Sequence, residues 1–215
     1  MTPPVVLLDL DGCLTDAAPG IVGCVRHALA GLGAPDPGDA VLRTFLGPPL
    51  HESFARIGVD PEPAVALYRE RYREVGITEL EVYDGIVDLL AGLRADGSRL
   101  CLATSKPEVF ARRILTATGL SLDEAVGSEL DGSRSRKADV IAEALRRLDA
   151  SPSDAVMVGD RAEDCVGALA WGVGFVGAGW GYGLPGELAG AGAAQVAARP
   201  LDLLQVLRSG TLTAG

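Results

Sequence analysis

Lysine is nearly missing from this chain. Seventeen arginines stand beside only two lysines, Lys106 and Lys137, in 215 residues. Wherever a generic cation suffices the sequence uses Arg, so a surviving Lys marks a place that needs a compact ammonium in preference to a planar fork. Basic charge as a whole is short: 19 basic against 29 acidic residues give a net charge of -10. This excludes attraction to a nucleic-acid backbone by bulk electrostatics, and an anionic ligand then needs a local metal or a few placed cations. There is no Cys-x-x-Cys pair; Cys13, Cys24, Cys101 and Cys165 read as small buried residues in a reducing compartment. A secretory pattern is missing too, since Met1-Thr2-Pro3-Pro4 has no basic residue and Val5–Leu8 is too short for a signal core. The uncharged run Cys165–Gly186 holds eight glycines and one proline in 22 residues. Such a run suits a helix, a buried strand and a glycine-rich loop, not a membrane helix. The expectation is a cytoplasmic protein that binds neither nucleic acid nor membrane, a monomer or weak homodimer.

What is present is ordinary globular material, 48% hydrophobic and 22% charged, long enough for a core with a modest insertion. Val5–Leu8 is an apolar run ending at Asp9. The form recurs: Leu100–Ala103 ends at Thr104-Ser105, Ala155–Val158 at Gly159-Asp160, and Val173–Val176 at a glycine-rich stretch. Helical patterns lie between, over Gly85–Ala95, Pro107–Thr118, Lys137–Leu148 and Arg161–Trp171, with Pro107 suited to a first helical turn. This alternation predicts a parallel sheet with helices on both faces, and ligands bind such sheets at the carboxyl ends of the strands. From Asp16 to Tyr83 the alternation stops. Pro19–Leu32, Leu50–Ile57 and Pro61–Val75 read as helices divided by Gly- and Pro-rich turns. The expected division is a core of residues 1–15 and 84–215 with a small all-helical cap, 16–83, inserted after the first strand. Such a cap is placed to act as a lid, with Gly47-Pro48-Pro49-Leu50 as the loop that reaches the site.

Asp9-Leu10-Asp11-Gly12 is the central motif. Two carboxylates two residues apart past a buried strand repel each other and call for a cation or a shared proton, and Gly12 allows a tight turn. Asp-x-Asp alone is a weak signal, common in loops. Asp160 ends another strand, and Asp164 lies one turn into the next helix on the same face. With Asp9 and Asp11 they make an all-oxygen set of the Mg2+ type; a helix cap is the plainer reading of Asp160, but it leaves Asp164 unexplained. Thr104-Ser105-Lys106 offers hydroxyls and donors suited to phosphoryl oxygens. Lys137 opens a helix against its dipole, which favours a functional role, whereas Arg134 and Arg136 before it read as surface charges.

In order, Asp9-x-Asp11, Thr104, Lys137 and Gly159-Asp160-x-x-x-Asp164 resemble the four motifs of the haloacid dehalogenase superfamily, over nearly the whole length. Gly47-Pro48-Pro49-Leu50 with Phe54, and Trp180-Gly181-Tyr182-Gly183 before Glu187-Leu188, are similar to its phosphoglycolate phosphatase-like subgroup. Cys13 stands where Thr is usual, and Ala138 follows Lys137 where many phosphoglycolate phosphatases have Pro. The resemblance implies a Rossmann-like core with a helical cap, and a Mg2+-dependent phosphatase acting on a small phosphorylated metabolite (phosphoglycolate-like, or a nucleotide or sugar phosphate). It also implies roles. Asp9 is the nucleophile that becomes an aspartyl phosphate; Asp11 is the general acid and base. Thr104 and Lys137 hold the phosphoryl group, with Gly12, Ser105 and Lys106 lining it. The metal lies among the Asp9 carboxylate, the Asp11 carbonyl and Asp160, with Asp164 close by.

Sister chemistries are weighed by what is lacking. Phosphonate cleavage in the superfamily uses a cap lysine, and residues 16–83 contain none. Dehalogenation needs no metal set. A sugar-phosphate mutase resembling β-phosphoglucomutase shares all four motifs and is the alternative; it needs a cap that grips a second phosphate, for which Arg26, Arg43, Arg56, Arg69, Arg71 and Arg73 are candidates. A binding protein on an inactive enzyme fold is a further class, which the complete motif set disfavours.

Overall fold

The computed structural model describes residues 2–209. The chain divides into two compact units, Met1–Thr15 with Val82–Gly215, and Asp16–Glu81. Strands run in chain order as β1 (Val5–Leu8), β2 (Thr15–Asp16), β3 (Glu81–Val82), β4 (Arg99–Pro107), β5 (Glu124–Ser128), β6 (Ala155–Gly159), β7 (Gly174–Ala178) and β8 (Val196–Ala197). The helices are α1 (Ala18–Gly31), α2 (Asp39–Leu42), α3 (Leu50–Arg56), α4 (Pro61–Glu74), α5 (Ile86–Ala95), α6 (Glu108–Thr118), α7 (Lys137–Leu148), α8 (Ala162–Leu169), α9 (Glu187–Gly190) and α10 (Pro200–Ser209).

The larger unit is a six-stranded sheet in the order β5-β4-β1-β6-β7-β8, every neighbouring pair parallel. Its centre is β1, whose four residues are fully buried. A run with no polar alternation must be covered on both faces, and each fully buried Leu or Val stabilises by about 1.5–3 kcal/mol. One cover is α7, which turns Val140, Ile141, Ala144, Leu145 and Leu148 inward and Glu143, Arg146 and Arg147 outward. The order reverses at β1, between β4 and β6, so the carboxyl ends of these three strands frame the crevice where such sheets bind ligands.

Two expectations shift. Pro107 does not open a helix. It stays extended and pairs with Ser128, so α6 begins at Glu108. The helix expected over Arg161–Trp171 is shorter, Ala162–Leu169. The short edge strands β5 and β8, and α10, were not legible as apolar runs.

The smaller unit is helical. Gly23 lets the Arg71 guanidinium lie against α1, where an added Cβ would sit 3.1 Å from Nη1. Arg71 donates from Nη1 and Nη2 to Glu79, at 2.8 and 3.0 Å. Tyr68 and Tyr72 stack along α4, and Phe45 meets the fully buried Phe54 edge-on at 5.0 Å. No helix among the described residues is long and apolar enough to cross a membrane.

Candidate active site

The first loop folds around one carbonyl. Cys13, Leu14 and Thr15 N–H groups all donate to Leu10 O, and Gly12 N–H donates to Thr15 O. The turn needs Gly12 at φ +84°, and a Cβ there would strike the Asp160 carboxylate. Asp9 N–H continues the β1–β6 ladder by donating to Val158 O. The loop therefore delivers Asp9 and Asp11 from the sheet end with little freedom.

At the end of β4 the register breaks. Ala103 faces Val126 and Pro107 faces Ser128, so four steps along β4 span two along β5. Thr104, Ser105 and Lys106 form the resulting bulge, of the kind that re-aims side chains at functional edges. Ser128 Oγ fixes it by donating to Ser105 O at 2.8 Å. Thr104 is buried, its Oγ1 accepting from Lys106 N–H, while Ser105 is exposed. The Lys106 ammonium pairs with Asp11 Oδ2 at 2.7 Å.

Lys137 is the first residue of α7 and is buried. Its ammonium lies 2.7 Å from Asp9 Oδ1, 2.7 Å from Asp164 Oδ1 and 3.0 Å from Ala103 O. Burial works to discharge it, but Asp164 and Asp9 outweigh that and hold its proton more tightly than in water. The two lysines thus do different work: Lys137 ties the ends of β1, β4 and α8, and Lys106 holds Asp11.

Carboxylate oxygens of Asp9, Asp160 and Asp164 lie within 4.8 Å of one another. Asp160 is fully buried; burial, then the charges of Asp9 and Asp164, push its carboxyl up to about 8. Its Oδ2 accepts from Tyr182 N–H at 2.7 Å, and its Oδ1 has no protein partner. Asp160 is not the helix cap: Arg161 is, and Arg161 N–H donates to Asp164 Oδ2 at 3.1 Å. Asp11 Oδ1 is also buried and unpartnered. Burial, opposed by Lys106, raises the Asp11 carboxyl. Fully ionised, these three carboxylates around one ammonium would leave an excess of about two negative charges in a buried pocket; the raised Asp160 carboxyl and its orphaned oxygen point to where a divalent cation fits.

The structure thus gathers Asp9, Asp11, Gly12, Thr104, Lys106, Lys137, Asp160 and Asp164 in one place. Arg134 was misread as a surface charge. Its side chain is only 18% exposed, donates to Gly127 O at 2.8 Å and contacts Glu108 and Glu129, bracing the segment that leads into Lys137; Arg136 is a surface pair with Asp139. Glu187 had no assigned role. Its Oε1 accepts from Arg161 Nε and Ala162 N–H, closing the start of α8. Its one sequence signal was its place after the Trp-Gly-Tyr-Gly segment.

The profile described as haloacid dehalogenase-like hydrolase matches residues 6–178. The chain is similar to tyrosine-protein kinase PtkA of Mycobacterium tuberculosis, 46% identical over 186 residues, which are 85% of this chain and 64% of that one. It therefore spans under two thirds of that relative's length. It is 42% identical over 212 residues to a 5'-nucleotidase of Pseudomonas aeruginosa, covering 96% of both chains. A crystal structure described as a predicted phosphatase from Clostridium acetobutylicum superposes with a TM-score of 0.90 at 38% identity, covering 97% of this chain and all of the other.

Proposed function

Because the chain belongs to the haloacid dehalogenase-like hydrolase family, we propose that it is a Mg2+-dependent phosphatase that cleaves a small phosphate monoester, a nucleoside 5'-monophosphate, through an aspartyl phosphate on Asp9. The observation that carries this reading is the Asp9–Lys137–Asp164 triad beside the orphaned Asp160 oxygen. A buried carboxylate held at 2.7 Å by an ammonium is oriented and partly neutralised, as a nucleophile facing a dianion must be.

Asp9 attacks phosphorus as the bond from phosphorus to the ester oxygen breaks. Asp11, raised by burial toward its acid form, gives its proton to the departing oxygen. Water then attacks the same phosphorus, Asp11 takes its proton, and phosphate leaves with Asp9 restored. Thr104 Oγ donates to a phosphoryl oxygen, and the Lys137 ammonium offsets charge on Asp9 and the transferring group. Asp9, Asp160 and the Asp11 carbonyl would hold Mg2+, with Asp164 beside them as the partner of Lys137. The ion would supply charge neutralisation on the phosphoryl oxygens. The nucleotide choice rests on the relative named 5'-nucleotidase, similar over 96% of both chains. The mutase alternative loses ground because two of its six candidate arginines are occupied inside the helical unit, Arg26 by Asp36 and Asp39 and Arg71 by Glu79.

The test is phosphate release with Mg2+ over nucleoside monophosphates, phosphoglycolate and hexose phosphates, with Asp9→Asn as the blank. The expected result is fastest release from a 5'-mononucleotide, loss in excess chelator, little support from calcium, whose looser coordination disturbs in-line geometry, and no turnover by Asp9→Asn. Undiminished turnover in chelator, or a fully active Asp9→Asn, overturns the mechanism. Isomerisation of a hexose phosphate without phosphate release overturns the hydrolase in favour of the mutase.

A further inference from the structure

The segment after β7, Trp180 to Glu187, has no part in the chemistry above, yet Trp180, Tyr182 and Glu187 each reach the metal-binding loops with a polar contact. Trp180 Nε1 donates to Cys13 O at 3.0 Å, reaching the turn that carries Asp9 and Asp11. Tyr182 N–H donates to Asp160 Oδ2 at 2.7 Å. Glu187 takes Arg161 Nε and Ala162 N–H on Oε1, and Leu184 N–H on Oε2. Two glycines are there for contact: a Cβ on Gly181 would strike Gly12 O and the Asp160 side chain, and one on Gly183 would strike Asp160 O. The Tyr182 ring covers the spot where a Cβ of Gly12 would stand. The backbone of this segment therefore lies directly on the two loops that bear Asp9 and Asp160.

We infer that residues 180–187 are a positioning clasp that presets the cation site. The clasp occupies Asp160 Oδ2 with a backbone N–H and so presents Oδ1 alone to the ion, while the Trp180 indole fixes the nucleophile loop at the matching distance. Trp180 and Gly181 are positioning residues, acting through Cys13 O and Asp160 without touching substrate. Groups that orient metal ligands in this way typically contribute 10–100-fold to metal affinity. This inference rests on the proposed metal site and extends it to residues outside the four motifs.

The experiment measures Mn2+ binding by electron paramagnetic resonance, and Mg2+ by competition, on the full chain without substrate. Trp180→Phe deletes one N–H and keeps an aromatic ring; Gly181→Ala inserts one methyl. The expected result is about tenfold weaker binding for Trp180→Phe and up to about 100-fold for Gly181→Ala. Phosphate release by Trp180→Phe should then need more metal for half-saturation and return close to the wild-type rate at saturating metal. Wild-type affinity in Trp180→Phe overturns the clasp, whether or not Gly181→Ala folds. So does a loss of turnover that scales equally at all metal concentrations with a lower metal-free Tm, which marks a merely structural contact. The outcomes separate the clasp from the enzyme reading. Weaker Mn2+ binding in Trp180→Phe beside a wild type that hydrolyses no ester sinks the phosphatase and keeps the clasp. Normal hydrolysis with unchanged affinity in Trp180→Phe sinks only the clasp, and a wild type that binds neither ion sinks both.

Discussion

Asp160→Asn should make the metal-free protein more stable, and more so as pH rises. Asp160 is fully buried, and its carboxyl is pushed from the ordinary 3.8 to about 8 by burial and by Asp9 and Asp164. Between those values the folded chain binds a proton that the unfolded chain has lost, so stability falls as pH climbs through the window and levels off above about 8. At about 1.4 kcal/mol for each tenfold in proton affinity, the ceiling is on the order of 5 kcal/mol. Asp9 and Asp164 supply part of the rise and share the same ammonium, so about 2–3 kcal/mol is the expected gain for the neutral amide at pH 8. For a chain of this length that is a Tm higher by roughly 5–10 °C. The Asn carbonyl can still accept from Tyr182 N–H, so packing is kept. Thermal unfolding in chelator at pH 5, 7 and 8 reads the effect: at pH 5 a gap about a quarter of that at pH 8, widening between them. Saturating Mg2+ should reverse the order, because the wild type gains the larger binding free energy, about 4.1 kcal/mol at 1,000 times Kd. A variant less stable than wild type in chelator at pH 8, or a gain that is the same at pH 5, refutes the claim that Asp160 is held there under electrostatic load.

All four cysteines are free and buried, and burial pushes Cys101 up to about 12 and Cys13 well above its ordinary range. The native protein should therefore give almost no reaction with a thiol reagent at pH 8 and four equivalents once denatured; rapid native labelling would contradict the packing. Glu143 is held down to about 2 by Arg146 and Arg147, within a cluster where Arg147 also pairs with Glu108. A depressed carboxyl stabilises above its unfolded value near 4.5 and loses that contribution as pH falls toward 2. Glu143→Gln should thus lower the Tm by a few degrees at pH 6 and low salt, less at high salt, and lose its effect near pH 2; a pH-independent difference would assign the loss to packing.

Asp9, Asp160 and Lys137 were visible in the sequence because each stands where an apolar run or a helical period breaks off, and such breaks are local. β1, β6 and α7 could be placed almost to the residue for the same reason. The pairings could not, since they join positions far apart in the chain: Lys137 meets Asp9 across 128 residues, and Trp180 meets Cys13 across 167. Periodicity carries no information at that range. Glu124–Ser128, with a charge and a glycine in five residues, has no apolar run to announce it and becomes a strand only because β4 offers a free edge. Pro107 suits a helix start by its own φ, yet the ladder to Ser128 claims it. Arg134 looks like solvent charge in a polar loop until folding brings Gly127 O and Glu108 to it. The sequence by itself singled out the carboxylates and lysines that the fold gathers, and the strand ends at which they stand. Tertiary structure alone decided which carboxylate each lysine holds, and which oxygen of Asp160 is left without a partner, because those depend on how separate loops meet at one edge of the sheet.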